Sequence, residues 1–244
     1  MIDPTMSQRH IFLRQLGSLA VSTERRATIS PRCYTSKATP IEDLIPDSPG
    51  SNHNDLASFL EYATRSGLNP KSTVYVGTHY EYTVGASLAR HGFSVRRIGG
   101  ASDYGIDLLG TWNFPTPSSS FPSGTTTLKV LVQCKAGPIG PHTIRELEGA
   151  FVGAPAGWRG GEGVLGVLAS RKVATKGVGE ALGRSRWPMM FVCCDAEGRI
   201  SQVRWNQRAE LEGLEGMNAA VRRSAAGEIP EVILTWKGQI LSRS

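Results

Sequence analysis

The sequence predicts an α/β protein in which a mixed central sheet is flanked by helices. Three short apolar runs, residues 127–135, 164–169 and 189–195, have the length and composition of buried strands, and segments of helical periodicity separate them. Ahead of them stand a helix and two further strand-like segments. The resulting order is helix, three strands, helix, strand, helix, strand. No apolar run approaches the ~20 residues that a membrane-spanning helix needs, so no membrane role is expected. Cys33, Cys134, Cys193 and Cys194 form neither a C-x-x-C pair nor a disulfide framework, which fits a reduced compartment.

Residues 1–38 hold Arg9, Arg14, Arg25, Arg26, Arg32 and Lys37 against Asp3 and Glu24, are rich in Ser and Thr, and space Phe12, Leu16 and Leu19 along one helix face. That composition marks a mitochondrial transit peptide, with Arg32-Cys33-Tyr34 resembling a cleavage site and the matrix as the destination. The plain alternative is an ordinary tail. Of the net charge of +6, +4 lies in this segment, so the high pI speaks for targeting before it speaks for nucleic acid. Residues 39–53, rich in Pro, Ser and Asp, read as a flexible linker. Residues 54–244 form the folded domain, with its core at 72–195.

Asn54 or Asp55 caps a first helix whose Leu56, Phe59, Leu60 and Ala63 share one face, and Gly67 closes it. Thr78 opens a helix to His91, with Gly92 as its stop. Strands are expected at 93–98, 106–110 and 127–135, with a Pro/Ser-rich loop at 114–124. Pro141 suits the first turn of a helix to Phe151. A Gly-rich flexible loop (153–163), a strand (164–169), a helix (175–186) and a strand (189–195) follow. Asn206 then caps a last helix to Ala225, and 231–236 adds a strand.

Three stretches carry chemistry: Gly105-Ile106-Asp107-Leu108, Gln133-Cys134-Lys135 and Gly77-Thr78-His79-Tyr80-Glu81. Alternate strand residues share a face, so Gln133 and Lys135 point one way and Cys134 points into the packing. Asp107 offers a hard oxygen for Mg²⁺, and Lys135 can orient a metal-bound water or offset phosphate charge. Plainer readings stand beside these. Thr78-x-x-Glu81 is a capping box, Asp107 closes a turn, and Asp107 with Lys135 makes a structural ion pair. Asp103 is a loop residue, and Glu146 and Glu148 face either the cleft or, more simply, solvent. Arg145, Arg171, Lys172 and Lys176 are candidates for phosphate-backbone contacts. The five histidines lack metal spacing, so zinc is not expected.

Asp107 and, 26 residues on, the Gln133-x-Lys135 pair lie between an upstream Tyr80-Glu81 helix and a following Ile-Arg-Glu-Leu-Glu-Gly helix. This resembles the PD-(D/E)xK restriction-endonuclease-like superfamily, and within it the Mrr-like branch, over residues 72–195. With its presequence the chain also resembles the fungal mitochondrial "required for respiratory growth" proteins. The resemblance implies a restriction-endonuclease-like fold and hydrolysis of DNA phosphodiesters with Mg²⁺ or Mn²⁺. It also implies a role in mitochondrial genome maintenance or respiratory growth, and a homodimer where both strands are cut. Carried over, Asp107 is the principal metal ligand, Gln133 occupies the usual Glu or Asp position as a ligand, Lys135 is the catalytic lysine, and Glu81 is the helix-borne acid. Gln133 departs from a charged ligand and should weaken metal binding unless Glu81 contributes as a further metal ligand. An alternative is therefore a weakly active or inactive nuclease-fold protein that binds nucleic acid or a mitochondrial partner. A third reading is a respiratory assembly factor without nucleic acid.

Overall fold

Six strands form one sheet in chain order: β1 (Phe93–Arg97), β2 (Leu108–Thr116), β3 (Gly124–Lys135), β4 (Val164–Ser170), β5 (Met189–Cys194) and β6 (Ile200–Trp205). The computed structural model describes residues 45, 52–98, 105–116, 124–222 and 231–241, all within the unit Thr39–Ser244. The transit-peptide segment, most of the linker, Asp103 and residues 117–123 lie outside the described residues. Strands β1 to β3 are an antiparallel meander, β3, β4 and β5 are parallel, and β6 returns antiparallel. The sheet is mixed, as expected. No helix among the described residues is long and apolar enough to cross a membrane.

Parallel neighbours need crossovers, and α3 (Pro141–Gly153) and α4 (Lys176–Arg184) supply them on one face of the sheet. There Leu147, Phe151, Val178 and Leu182 join Leu131 and Leu168 in one core. The opposite face is covered by α2 (Thr73–Ala89), through Tyr80, Val84 and Leu88 at helical spacing. A second sheet, β7 (Met217–Arg222), β8 (Glu231–Trp236) and β9 (Gln239–Ile240), completes that cover through Met217, Leu234 and Trp236. Helix α1 (Leu56–Arg65), capped by Asp55, packs on α2 through Phe59, Ala63 and Tyr82. Strands β4 and β5 are buried at every residue because helices or strands cover both of their faces.

The structure departs from the sequence reading in several places. Helix α2 begins at Thr73, where the Ser72 hydroxyl accepts from the Tyr75 amide at 3.2 Å, so Thr78 is a buried mid-helix residue and no capping box forms there. The 153–163 loop is pinned: Trp158 is fully buried and its indole N–H donates to the Gly110 carbonyl at 3.0 Å. Ile45, within the expected linker, packs in the α3-side core.

The expected last helix is short, ending at Leu214. Leu211, Leu214 and Met217 have helical spacing, but Gly213 takes φ 138°, and the chain turns into β7 instead. Strand β6 is absent from the sequence reading, since as an edge strand only half of it is apolar.

Gly110 marks the tightest approach of β1 to β2. A Cβ there would lie 1.9 Å from the Ser94 carbonyl oxygen and 2.8 Å from the Val95 Cα, both backbone atoms that cannot swing away. Gly110→Ala is therefore expected to lower the free energy of unfolding by about 3 kcal/mol, at the upper end of overpacking costs. Gly149→Ala, in α3 with open space around it, should instead stabilise by roughly 0.5–1 kcal/mol. Urea unfolding of the two variants checks both signs.

Candidate active site

Asp107, Gln133 and Lys135 lie at one end of the sheet, where β2 begins and the parallel strands β3 and β4 end, whereas Glu81 stands on the other face. Asp107 sits immediately before β2. Its amide donates to the Val132 carbonyl and its carbonyl accepts from Ile98, both at 2.9 Å. Its carboxylate Oδ2 accepts from the Cys134 amide at 2.6 Å. The side chain thus extends the β2–β3 ladder one step past the last β2 residue, with a charge-assisted bond where a carbonyl would otherwise stand. The bond runs across strands instead of closing a turn, and it orients the carboxylate.

Gln133 is 4% exposed and follows Leu131 on the α3 face of β3. Its Oε1 is buried and has no hydrogen-bond partner among the described residues. A side chain at Gly105 would crowd the Gln133 amide, since a Cβ there would stand 3.2 Å from Nε2. The glycine before Ile106 therefore leaves room for Gln133. Lys135 lies on the same face as Gln133, and its Nζ is 2.9 Å from Glu146 Oε2 of α3. Glu146 is solvent-exposed, as expected, and from there pairs with the lysine. The two side chains are 34% and 48% exposed, so the pair is worth at most about 1 kcal/mol and is readily exchanged.

Cys134 takes the opposite face, against the α2-side core. Burial pushes its thiol well above the usual range, and the nearby charges of Asp107 and Glu81 push it further. The group is protonated and serves as packing, not as a nucleophile.

Glu81 projects from α2, which covers the face opposite Gln133 and Lys135. Its carboxylate Oε2 accepts from the Arg97 guanidinium at the end of β1, and both side chains are largely buried. Arg97 also stands 5.9 Å from the centre of the Tyr82 ring. A groove of about 680 Å³ opens here, with His53, Glu81, Tyr82, Arg97 and Leu108 among its lining residues. The groove lies on the α2 side of the sheet, and neither Asp107, Gln133 nor Lys135 is among its lining residues. Within the groove His53 Nδ1 is 2.7 Å from the Tyr82 hydroxyl, and burial lowers the His53 pKa from its ordinary value, with Arg97 lowering it further.

Among the described residues no three His, Cys, Asp or Glu side chains gather as a metal cluster. Asp107 and Gln133 could hold a Mg²⁺ ion, since they supply a carboxylate and an amide oxygen, and Mg²⁺ commonly takes one or two carboxylates and keeps waters or substrate oxygens in its remaining positions. The buried, unpartnered Gln133 oxygen is the observation that supports the fit. Sequence reasoning missed the roles of Arg97 and Glu146. Arg97 is alternately placed on β1 and Glu146 faces β3, but neither pairing is readable before the elements are docked.

The family model described as Required for respiratory growth protein 7 matches residues 72–123 and 116–223, more than half of the chain. A mitochondrial protein of Schizosaccharomyces pombe, described as uncharacterized, is 34% identical over 162 residues, covering 64% of this chain and 61% of that protein. Required for respiratory growth protein 7, mitochondrial, of Vanderwaltozyma polyspora is 34% identical over 117 residues, covering 33% of this chain and 47% of that protein. Its namesake in Eremothecium gossypii is 36% identical over 123 residues, covering 37% and 51%. The chain thus spans about half to three-fifths of the length of these curated relatives. No solved structure matches the chain.

Proposed function

The chain belongs to the Required for respiratory growth protein 7 family and is mitochondrial like its relatives, and from that premise we propose that it is a metal-dependent phosphodiester hydrolase acting on DNA in the matrix. Asp107 and Gln133 would hold Mg²⁺ or Mn²⁺, and Lys135 would stand beside the attacked phosphate. The observation that carries the reading is the buried Gln133 oxygen left without a partner in the strand opposite Asp107. A polar atom withheld from both protein and water is costly unless a ligand satisfies it. A helix, a three-stranded antiparallel meander, a helix and a parallel strand, in that order, also suit a restriction-endonuclease-like fold. Cleavage in the matrix would serve maintenance of the mitochondrial genome, and through it respiratory growth.

When bound, the metal would supply a water of lowered pKa and neutralise charge on the phosphate. Asp107 orients through the Cys134 amide, which fixes the direction of its carboxylate. Gln133 contributes a neutral oxygen, so the site carries one negative charge fewer than a pair of carboxylates would. Lys135 leaves Glu146 for the phosphate at small cost, because their pair is solvent-exposed. Glu81 acts as a positioning residue through Arg97, holding the end of β1 against the site.

The test is cleavage of duplex DNA by the full chain. Cutting is expected with Mg²⁺ or Mn²⁺, to stop with EDTA, and to fall about 100-fold or more in Lys135→Ala, as for loss of roughly 3 kcal/mol of transition-state stabilisation. A second reading, binding without hydrolysis, draws on the absence of a three-residue acidic cluster among the described residues. Salt-sensitive binding without cutting under either metal would select it.

A further inference from the structure

Arg171 is the first residue past the end of β4. Ser170 stands in register with Lys135 across the β3–β4 pair, so Arg171 leaves the sheet at the same edge as the candidate site. It shares the parity of Ala169, which faces the α2-side core. Its guanidinium carbon lies 4.9 Å from the centre of the Tyr80 ring. That ring is fixed: it is 1% exposed, and its hydroxyl donates to the Cys194 carbonyl at 2.9 Å. The turn that carries Arg171 is also pinned. The Ser170 hydroxyl accepts from the Lys172 amide at 3.1 Å, and Gln202 Oε1 accepts from the Ala174 amide at 2.9 Å.

Arg171 Nε is buried and has no hydrogen-bond partner among the described residues, and no carboxylate among them pairs with its guanidinium. An arginine held against an aromatic ring on an anchored turn, with a donor withheld from every acceptor among the described residues, is preorganised to grip a phosphate with its fork of N–H groups. We propose that Arg171 clamps the backbone phosphate next to the one at Asp107, Gln133 and Lys135. The bound strand then crosses the end of the sheet from its α3 side to its α2 side. This inference rests on the nucleic-acid reading above. The exposed Lys172 beside it adds long-range attraction for the same strand.

Binding of a fluorescent DNA duplex by the full chain in EDTA, across a range of salt, tests the clamp. Arg171→Ala should weaken binding about tenfold and reduce the slope of log K against log salt by about 0.9, the signature of one lost duplex phosphate contact. Arg171→Lys should recover the slope but only part of the affinity, because an ammonium lacks the fork. Thermal midpoints should stay at the wild-type value. Equal slopes for wild type and Arg171→Ala overturn the proposal, and a lowered midpoint with an unchanged slope shows that Arg171 only packs on Tyr80. Should Arg171→Ala fail to fold, Arg171→Gln allows the same comparison. Wild-type protein that cuts DNA while Arg171→Ala keeps its slope refutes the clamp alone. A slope changed by Arg171→Ala in a protein that never cuts refutes the hydrolase reading and leaves the clamp standing. Wild-type protein with no salt-sensitive binding overturns both.

Discussion

Asp107→Asn is expected to reduce metal-dependent DNA cleavage at least about 100-fold, a loss of some 3 kcal/mol of transition-state stabilisation, while leaving the fold in place. The two halves of this outcome have separate causes. The asparagine oxygen can still accept from the Cys134 amide, so the extension of the β2–β3 ladder survives. Exchanging a charge-assisted bond for a neutral one costs about 1 kcal/mol, or roughly 2–4 °C in thermal midpoint for a domain of this size. A metal held as proposed would, by contrast, lose its one charged ligand. Asp107→Ala would lose the ladder bond as well, so it cannot separate the two roles. Cleavage rates and thermal midpoints measured on both variants make the comparison. Asp107→Asn cutting as fast as wild type would remove Asp107 from the chemistry.

Asn206→Ala should be the most damaging of the polar substitutions, lowering stability by about 3–5 kcal/mol, as for several buried backbone groups left unsatisfied together. A simple N-cap, the only role visible in the sequence, would cost about 1 kcal/mol. In the structure Asn206 is 4% exposed and ties three segments together. Its Oδ1 accepts from the Ala209 and Met189 amides at 3.0 and 3.1 Å. Its Nδ2 donates to the carbonyls of Trp187 (2.8 Å), Leu182 (3.2 Å) and Ser185 (3.4 Å). The end of α4, the start of β5 and the turn after β6 thus share one side chain. Urea unfolding distinguishes the cases: a loss near 1 kcal/mol would mean that only the cap matters.

The two substitutions show how differently the site and the frame could be read beforehand. Asp107, Gln133 and Lys135 were legible because each stands out locally: a carboxylate between Ile106 and Leu108, and two polar residues at strand spacing closing an apolar run. Their arrival at one sheet edge follows from the antiparallel β2–β3 register. Glu81 was legible as a helix-borne acid, but its environment was not. The capping box assigned to it fails because the helix begins five residues earlier, at Thr73. Its partner Arg97 is set by the docking of α2 on β1. The pairing of Glu146 was hidden for the same reason, since its partner Lys135 belongs to another element.

The charge that first suggested nucleic acid sits mainly in residues 1–38, so the basic balance of the chain bears on targeting, and the mitochondrial relatives agree with that destination. Periodicity and apolar runs were sufficient for the strand and helix order as far as β5, because burial on one face or two is written in spacing alone. They could not reveal the half-exposed edge strand β6 or the turn into β7, where Gly213 breaks a pattern that otherwise reads as helix. Nor could they reveal what each polar group bonds to. The junction at Asn206, the lysine's resting partner, the arginine on Tyr80 and the orphaned Gln133 oxygen are all contacts between distant segments. Such contacts exist only once the sheet is closed and its two faces are covered.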